Sequence, residues 1–512
     1  MSNEPSKLRG ALSGVLAGGV ALAIGELVAG VGSSQRAPVI AVGDLVIDNV
    51  PRPVKDFAID TFGTNDKIAL LVGIYTVIAI AAAALGIAAV KRFVTGAIGI
   101  AVFGAVGVYA VLQGSDAGAA EVLAAILGAF AGVGVLRLLL GAIDDSSSPP
   151  VVAATGPLER RAFLKLSGAA VVVGAGTASF GRYLQGRVSA AASRLAVVLP
   201  RAARPAAAIP AGADLGTEGL SPFLTPIADF YRIDVNLVVP QVAAEGWTLK
   251  VTGMVDDELE LTYADVLAME MVEEDMTLAC VSNEVGGKLV GNARWLGTPL
   301  LPLLEKAGIK SGADQIVARS TDGFTVGFPV SSLQDGRAAL LAIGMNGETL
   351  PIRHGFPARL VVAGLYGYVS ATKWLSEIEL TTFADFDPYW IKRGWAVEAP
   401  IKTQARIDTP RGLQRVTGAS IPVAGVAWAQ TRGITKVEVR VDEGEWNECE
   451  LADEVGKNTW RQWLYRWESA EPGRHQLTVR ATDATGETQS SERVPPFPDG
   501  ATGWHSIAVT VE

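Results

Sequence analysis

Four long apolar runs dominate the first third of the chain. They extend over Leu12–Val31, Ile68–Val90, Phe93–Leu112 and Ala119–Leu140. Each contains about 20 residues, the length of helix that crosses the ~30 Å hydrocarbon core of a bilayer. Glycine and alanine are frequent in all four runs, as in helices that pack closely within lipid. The pattern predicts a four-helix transmembrane domain over residues 1–145, with residues 32–67 as an external loop.

A basic segment precedes a fifth, shorter apolar run. Glu159-Arg160-Arg161-Ala162-Phe163-Leu164-Lys165 stands before Leu166–Phe180. The residues fit an ordinary positively charged flank of a fifth transmembrane helix, and they also resemble a twin-arginine export signal, which carries folded proteins across a membrane. We assign residues 146–185 to this segment and helix. The other basic clusters are consistent with a cytoplasmic N-terminus, so the chain after the fifth helix is expected outside the cytoplasmic membrane.

The patterning changes after the apolar third. Residues 186–222 are rich in Ala, Pro and Arg without periodicity, which predicts a flexible linker. From residue 223 to residue 398, short alternating strands and short helices predict an α+β domain, with Thr262 as a helix cap, Gly308 as a helix end and Asn346-Gly347 as a hairpin turn. Residues 399–512 alternate strictly between turn signals, which predicts an immunoglobulin-like β-sandwich.

Composition narrows the function classes. The net charge of -10 argues against a nucleic-acid partner, which requires a basic surface. The two cysteines, Cys280 and Cys449, are too far apart in sequence for a C-x-x-C metal site. Cys280 ends an apolar run and opens a polar loop, a usual place for a reactive side chain, although a lone cysteine is by default a small buried apolar residue. Both interpretations stay open for Cys280, and we favour the buried one for Cys449.

Several motifs occur in a specific order after residue 223. They are D-F-Y-R-I-D at 229–234, T-L-A-C-V-S-N-E at 277–284, W-L-G-T-P-L at 295–300, M-N-G-E-T-L-P at 345–351, H-G-F-P-A-R-L-V-V at 354–362 and K-W-L at 373–375. This order resembles the sulfite oxidase family of molybdopterin-dependent oxidoreductases, in a membrane-anchored bacterial (actinobacterial-like) form. The resemblance covers the chain from about residue 223 to the C-terminus.

The resemblance implies a molybdenum-molybdopterin cofactor and a set of site residues. The Cys280 thiolate would be the metal ligand, with Arg232 and Asp234 beside it as catalytic residues. The cofactor-binding residues would be Arg232, Asn283, His354, Arg359 and Lys373. Guanidinium, imidazole and ammonium groups suit a group that carries a phosphate and a polar pterin. The C-terminal sandwich would be the dimerisation domain of the same family.

Two positions depart from the sulfite oxidase pattern. Ile343 stands where those enzymes have a tyrosine ahead of the M-N-G turn, and Asp234 stands where they have a histidine. Exchanging a phenol and an imidazole for an alkyl group and a carboxylate weakens binding of a dianion such as sulfite. We therefore expect oxygen-atom transfer to or from a neutral compound such as a sulfoxide or N-oxide, as in the related bacterial methionine-sulfoxide reductases. The alternatives are a sulfite dehydrogenase and a non-enzymatic membrane-tethered scaffold.

Electron exchange requires a partner. The three histidines, His354, His475 and His505, all lie after the apolar runs, and no haem or iron–sulfur motif is present in the sequence. We therefore expect a small-molecule substrate, a separate cytochrome or quinone protein as electron partner, a homodimer and no nucleic acid. The expected location is the cytoplasmic membrane, with several membrane passes and the catalytic domain on the extracytoplasmic side.

Overall fold

The computed structural model describes residues 4–30, 37–62, 66–113, 118–144, 163–177, 190–468 and 470–512. The chain divides into two compact units. The first consists of Met1–Ser189 with Val235–Val239, and the second of Ala190–Asp234 with Pro240–Glu512. We call the first the helical unit and the second, because it contains all the expected site residues, the catalytic unit.

The described part of the helical unit consists mainly of helices. They are α1 (Glu4–Ala29), α2 (Pro38–Asn49), α3 (Arg52–Phe62), α4 (Asp66–Lys91), α5 (Phe93–Gln113), α6 (Ala119–Asp144) and α7 (Phe163–Thr177). Four of them, α1, α4, α5 and α6, are long and apolar enough to cross a membrane. The four predicted transmembrane runs are therefore confirmed as helices of spanning length.

Glycine sets the closest contacts in the helical unit. A Cβ on Gly14 of α1 would overlap the carbonyl oxygen of Ala82 in α4, and one on Gly86 would overlap the carbonyl oxygen of Gly10. Gly128 of α6 approaches α1 in the same way. Backbones come this close only where side chains are absent. Elsewhere α1, α2, α4, α5 and α6 leave an apolar cavity of about 680 Å³, where Gly73 has no neighbour within 4 Å of an added Cβ.

The segments predicted as an external loop and as a fifth transmembrane helix differ in outcome. The segment between the first two spans was predicted to be a loop, and this is wrong for most of its described residues, because α2 and α3 form there and α2 buries Val39 and Ala41. Its position outside the membrane stays a prediction. Pro38 at the first position of α2 provides a favourable helix start. The twin-arginine-like residues Arg160 and Arg161 lie outside the described residues. The described helix α7 is shorter than the four spanning helices, so the fifth span stays a prediction.

The middle of the chain forms two five-stranded sheets with short helices. The strands are β1 (Thr248–Gly253), β2 (Leu259–Thr262), β3 (Val272–Ala279), β4 (Val290–Pro299), β5 (Gln315–Ser320), β6 (Thr325–Pro329), β7 (Ala339–Met345), β8 (Glu348–Thr349), β9 (Arg359–Val362) and β10 (Leu375–Thr381). The helices are α8 (Ala190–Ala196), α9 (Tyr263–Leu267), α10 (Leu300–Ala307) and α11 (Gly367–Ser370).

These sheets confirm the predicted α+β class. One sheet has the order β2-β1-β10-β5-β6, with β1 and β10 parallel, and the other has the order β3-β4-β7-β8, with β9 also on β7. The predicted helix cap and helix end are confirmed. Thr262 forms a capping box with Asp265, and Gly308 ends α10 with a positive φ. The Asn346-Gly347 turn also has positive φ at both residues, as a tight hairpin requires.

The prediction of a flexible linker over residues 186–222 is wrong from Ala190 onward. Arg194 of α8 donates to the carbonyl oxygens of Thr349 and Leu350, and Ser193 donates to Glu245. Ala203 donates its backbone N–H to Met271 O at 2.8 Å. This segment is therefore part of the catalytic unit, held by residues far away in the sequence.

The C-terminal part is the predicted β-sandwich. Its strands are β11 (Gln404–Thr409), β12 (Arg415–Val416), β13 (Ser420–Trp428), β14 (Ile434–Val441), β15 (Trp446–Glu448), β16 (Glu450–Leu451), β17 (Arg461–Glu468), β18 (Gly473–Asp483) and β19 (His505–Val511). They form sheets of order β11-β13-β17-β16 and β12-β19-β18-β14-β15. Cys449 is buried in the sandwich core, and burial raises the pKa of its thiol. That geometry agrees with the structural interpretation of this cysteine.

The sandwich has a core of its own, and some of its residues also belong to the core of the α+β domain. Val426, Trp428 and Trp460 of the sandwich belong to the same buried cluster as Trp295 and Leu278 of the α+β domain. The two domains are therefore one compact unit, although the sequence pattern changes between them.

Candidate active site

The loop after β3 holds Cys280 in a fixed position. The Cys280 backbone N–H donates to Leu289 O at 2.9 Å, and the Asn283 N–H donates to Cys280 O at 3.0 Å. The Asn283 side-chain oxygen accepts the Leu289 N–H at 2.8 Å, which closes the loop. Burial raises the pKa of the Cys280 thiol, and hydrogen bonds from Ser282 oppose that rise. A bound metal would favour the thiolate directly.

The sandwich domain contributes to the same loop and strand. Gln430 donates to the carbonyl oxygen of Thr277 at 2.9 Å, and the Thr277 hydroxyl accepts the Trp460 N–H at 2.7 Å. Arg406 donates to the carbonyl oxygen of Gly287 at 2.9 Å. The strand and loop that carry Cys280 are therefore held from both domains.

A group of buried donors lies around β9. The Arg359 guanidinium donates to His354 O at 3.1 Å and lies 5.0 Å from the centre of the Trp295 ring. Burial lowers the pKa of His354 to about 4 and that of Arg359 to about 10. Gly355, with φ of 110°, lets this segment pack directly against the backbone of Lys373.

Three buried polar atoms in this group have no hydrogen-bond partner among the described residues. They are His354 Nε2, Arg359 Nε and Thr372 Oγ1. Burying such atoms without a partner costs roughly 1–3 kcal/mol each, more when the group is charged. A ligand with phosphate and pterin acceptors would satisfy donors of this kind. The residues present therefore fit a molybdopterin.

The opening loop brings three charged residues together. Asp234 forms an ion pair with Arg232 at 3.0 Å and a second one with Lys373. The Asp234 side chain is 5% exposed, whereas that of Arg232 is 43% exposed. Lys373 also donates to Ile233 O at 2.9 Å. One carboxylate thus lies against both cations.

Three of the sequence-predicted residues take positions that the sequence did not indicate. Ile343 is fully buried in β7, where the pairing with β4 shifts register. The Asn283 side-chain oxygen accepts a hydrogen bond from Leu289 within its own loop, and the role of Asn283 toward the cofactor stays a prediction. Asp234 pairs with both predicted cofactor cations.

Three further site residues were missed by sequence reasoning: Thr372, Trp295 and Tyr231. Thr372 and Tyr231 stand directly before Lys373 and Arg232, which was the one signal available. Trp295 was noted only as part of a turn motif, although its ring lies under the Arg359 guanidinium.

The fold and the buried donor group define a molybdopterin-binding oxidoreductase. Comparison with known proteins agrees. Residues 236–390 match the oxidoreductase molybdopterin binding domain, and residues 404–479 match the bacterial Ig domain. The chain is 34% identical over 149 residues to the uncharacterized oxidoreductase YuiH of Bacillus subtilis, covering 29% of this chain and 72% of that protein.

Longer but weaker matches extend over both domains of the catalytic unit. The chain is 27% identical over 351 residues to the mitochondrial sulfite oxidase of Mus musculus, covering 58% of this chain and 63% of that protein. The sulfane dehydrogenase SoxCD from Paracoccus pantotrophus has a similar fold, with a TM-score of 0.50 at 21% identity over 57% of this chain and 84% of that one. The chain belongs to the sulfite oxidase family of molybdopterin oxidoreductases.

Membership of this family identifies the cofactor and the class of enzyme. The protein is a molybdenum-dependent oxidoreductase whose cofactor is molybdenum-molybdopterin. The cofactor supplies redox chemistry at the metal when bound, and the chain supplies binding and orientation. The scaffold interpretation is set aside, because the chain belongs to an enzyme family.

Proposed function

We propose that the protein transfers oxygen atoms to or from small neutral molecules, with sulfoxide or N-oxide reduction favoured over sulfite oxidation. In this proposal the Cys280 thiolate ligates molybdenum. The residues Asn283, His354, Arg359 and Lys373 bind the cofactor, and Arg232 and Asp234 border the substrate position. Arg232 also contacts the cofactor.

The double ion pair of Asp234 supports this preference most directly. Sulfite is anionic at neutral pH and needs uncompensated positive charge in its pocket. Asp234 neutralises part of the charge of Arg232 and Lys373, and it is itself almost fully buried. The binding of a neutral oxygen-bearing compound is weakened little by this pairing of charges. The buried Ile343 alkyl chain offers no hydrogen bond to an oxyanion either.

A sulfite dehydrogenase is the second proposal, supported by the similarity to the mouse sulfite oxidase over both domains. The two proposals differ in the effect expected from removing the negative charge at residue 234: sulfite binding improves under the first and is unchanged under the second. Asp234→Asn keeps the side-chain shape and frees both cations.

The test compares substrates on the metal-loaded full chain in detergent. Sulfite oxidation is measured with an electron-accepting dye, and reduction of methyl phenyl sulfoxide or trimethylamine N-oxide with a reduced viologen. We expect turnover of a neutral compound, and an Asp234→Asn variant with a KM for sulfite at least about tenfold lower than that of the native protein. Faster turnover of sulfite by the native protein, unaffected by Asp234→Asn, would establish the second proposal.

For the electron partner we propose a separate cytochrome or quinone protein. Over the residues that the structure describes, no group of three or more His, Cys, Asp or Glu side chains could hold a second metal centre. We further propose that the spanning helices anchor the enzyme in the cytoplasmic membrane with the catalytic unit outside. The twin-arginine-like segment and the distribution of basic residues support that orientation. A homodimer through the sandwich domain is proposed from the family resemblance.

Protease treatment of intact bacterial spheroplasts tests the orientation. Cleavage of the catalytic unit in intact spheroplasts supports the proposed side, and protection until lysis contradicts it. Light scattering of the detergent-solubilised protein, corrected for bound detergent, measures whether a dimer forms.

A further inference from the structure

Tyr231 is fixed beside the buried donor group by its neighbour Phe230. The Phe230 ring packs so closely on Gly291 of β4 that a Cβ there would lie 2.9 Å from it. The same ring meets Trp295 edge-on at 5.9 Å and His354 edge-on at 5.7 Å. Tyr231 stacks on Phe230 at 5.3 Å. Contacts with Gly291, Trp295 and His354 hold the Phe230 ring in place. Because the Tyr231 ring stacks on it, the orientation of Tyr231 is held as well.

The Tyr231 hydroxyl lies at the end of the strand that carries Cys280. A Cβ on Gly367 would lie 3.9 Å from the Tyr231 oxygen and 3.8 Å from the carbonyl oxygen of Ala279, the residue before the cysteine. The charges of neighbouring groups agree with this position. Burial and the nearby Cys280 thiolate raise the pKa of Tyr231, and the Arg359 guanidinium lowers it in part.

This phenol is available as a donor. Within the described part of the chain its hydroxyl makes no hydrogen bond. Two other tyrosines of the unit differ from Tyr231. Tyr368 donates to Ala396 O at 2.6 Å. The Tyr263 hydroxyl also has no partner among the described residues, but its ring is enclosed in the core between Trp247 and Phe356. Tyr231 therefore has an O–H without a hydrogen-bond partner among the described residues, close to the strand end that precedes Cys280.

We propose that Tyr231 is a specificity-determining residue, whose hydroxyl donates a hydrogen bond to the oxygen atom of a sulfoxide or N-oxide substrate. The phenol missing at Ile343 is then supplied from the opening loop instead of from β7. This inference rests on the proposed function and deepens it. The hydrogen bond adds no charge to the pocket, so it suits a neutral acceptor oxygen.

Equilibrium binding of methyl phenyl sulfone tests the proposal without turnover. The sulfone carries acceptor oxygens like those of a sulfoxide and serves as an unreacted analogue. It is titrated by calorimetry into the metal-loaded full chain in detergent, for the native protein and Tyr231→Phe. Loss of one neutral hydrogen bond predicts about three- to tenfold weaker binding. Molybdenum content is expected to be unchanged.

Tyr263→Phe is the matched control, because it removes a tyrosine hydroxyl from the core of the same unit. It should bind the sulfone as the native protein does. Equal binding by native protein and Tyr231→Phe would overturn the role of Tyr231. A Tyr231→Phe protein without molybdenum would also overturn it, since the residue would then serve cofactor retention. Native protein that binds no sulfone but oxidises sulfite would overturn the proposed function itself, which distinguishes the two failures.

Discussion

The helical unit is packed through small residues, and the catalytic unit is packed through large ones. In the helical unit Gly10, Gly14 and Gly86 let two helix backbones touch, while large apolar side chains such as Val77 and Phe130 point outward. In the catalytic unit Trp295, Trp374, Trp428 and Trp463 are fully buried. Water drives large apolar side chains inward, whereas lipid does not, so helices in lipid associate through close backbone contact. The packing of the helical unit thus fits a lipid environment, and that of the catalytic unit fits water.

The largest expected effect is the loss of enzyme turnover when the predicted metal ligand of the catalytic unit is replaced. Cys280→Ser should remove turnover altogether and most of the molybdenum, because the alkoxide is a far less available ligand than the thiolate. Metal content by mass spectrometry and dye-linked turnover measure this. The control is Cys449→Ser, which lies in the sandwich core and should keep its metal. Full molybdenum in Cys280→Ser would remove the cysteine from the metal site.

The second prediction removes volume from the catalytic unit. Leu249 is fully buried in β1, and Leu249→Ala should lower the free energy of unfolding by about 2–5 kcal/mol, since it leaves a cavity. All 11 tryptophans of the chain follow residue 246, so tryptophan fluorescence during denaturant unfolding reports this unit alone. The neighbouring exposed residue provides the control: Lys250→Ala should stay within about 0.5 kcal/mol. Equal effects of both variants would contradict a tightly packed core.

The third prediction adds volume to the helical unit. Gly14→Leu should weaken it by about 1–3 kcal/mol or more, because the side chain would meet the backbone of α4. Helix content followed by circular dichroism in detergent should melt earlier, with the tryptophan signal unchanged. Gly73→Leu is matched in size but enters the apolar cavity, and it should be tolerated. If both variants melt alike, the close contact of α1 and α4 is not what holds the unit.

The smallest effect is a pH dependence of the catalytic unit. Burial lowers the pKa of His505 to about 4, and its Nδ1 accepts the Ile407 N–H at 3.0 Å, so the folded protein keeps the ring neutral. The unfolded chain binds a proton near pH 6.5, so this contribution is complete above that value and is lost as pH falls toward 4. Between about pH 7 and pH 5 it amounts to about 2 kcal/mol.

His505→Asn, which keeps an acceptor oxygen near the Nδ1 position, should flatten that dependence in tryptophan-monitored unfolding. His475 gives the opposite sign, because its bond to Asp442 raises its pKa. The stability from His475 is present below the unfolded pKa and is lost as pH rises through the folded one. A steep profile that persists in His505→Asn would assign the pH dependence to other groups.

Local signals in the sequence predicted local structure well. The cap at Thr262, the turn at Asn346-Gly347 and the strand end before Cys280 all follow from a few adjacent residues. The ordered segment after Ala190 could not be predicted in this way, because Arg194 binds carbonyl oxygens more than 150 residues away. Tyr231 and the double pairing of Asp234 were missed for the same reason, since only the folded chain brings Cys280 and Lys373 next to the opening loop.

The hydrogen bonds that Gln430, Trp460 and Arg406 give to the cysteine strand and loop have a consequence for modularity. An immunoglobulin-like sandwich would ordinarily be an independent domain that can be exchanged between proteins. Here a chimera that replaced it at residue 399 would leave the Thr277 carbonyl and the Gly287 carbonyl without their donors, three and seven residues from Cys280. In this chain the sandwich therefore supports the cysteine strand and loop directly, and a cut at residue 399 would remove those hydrogen bonds.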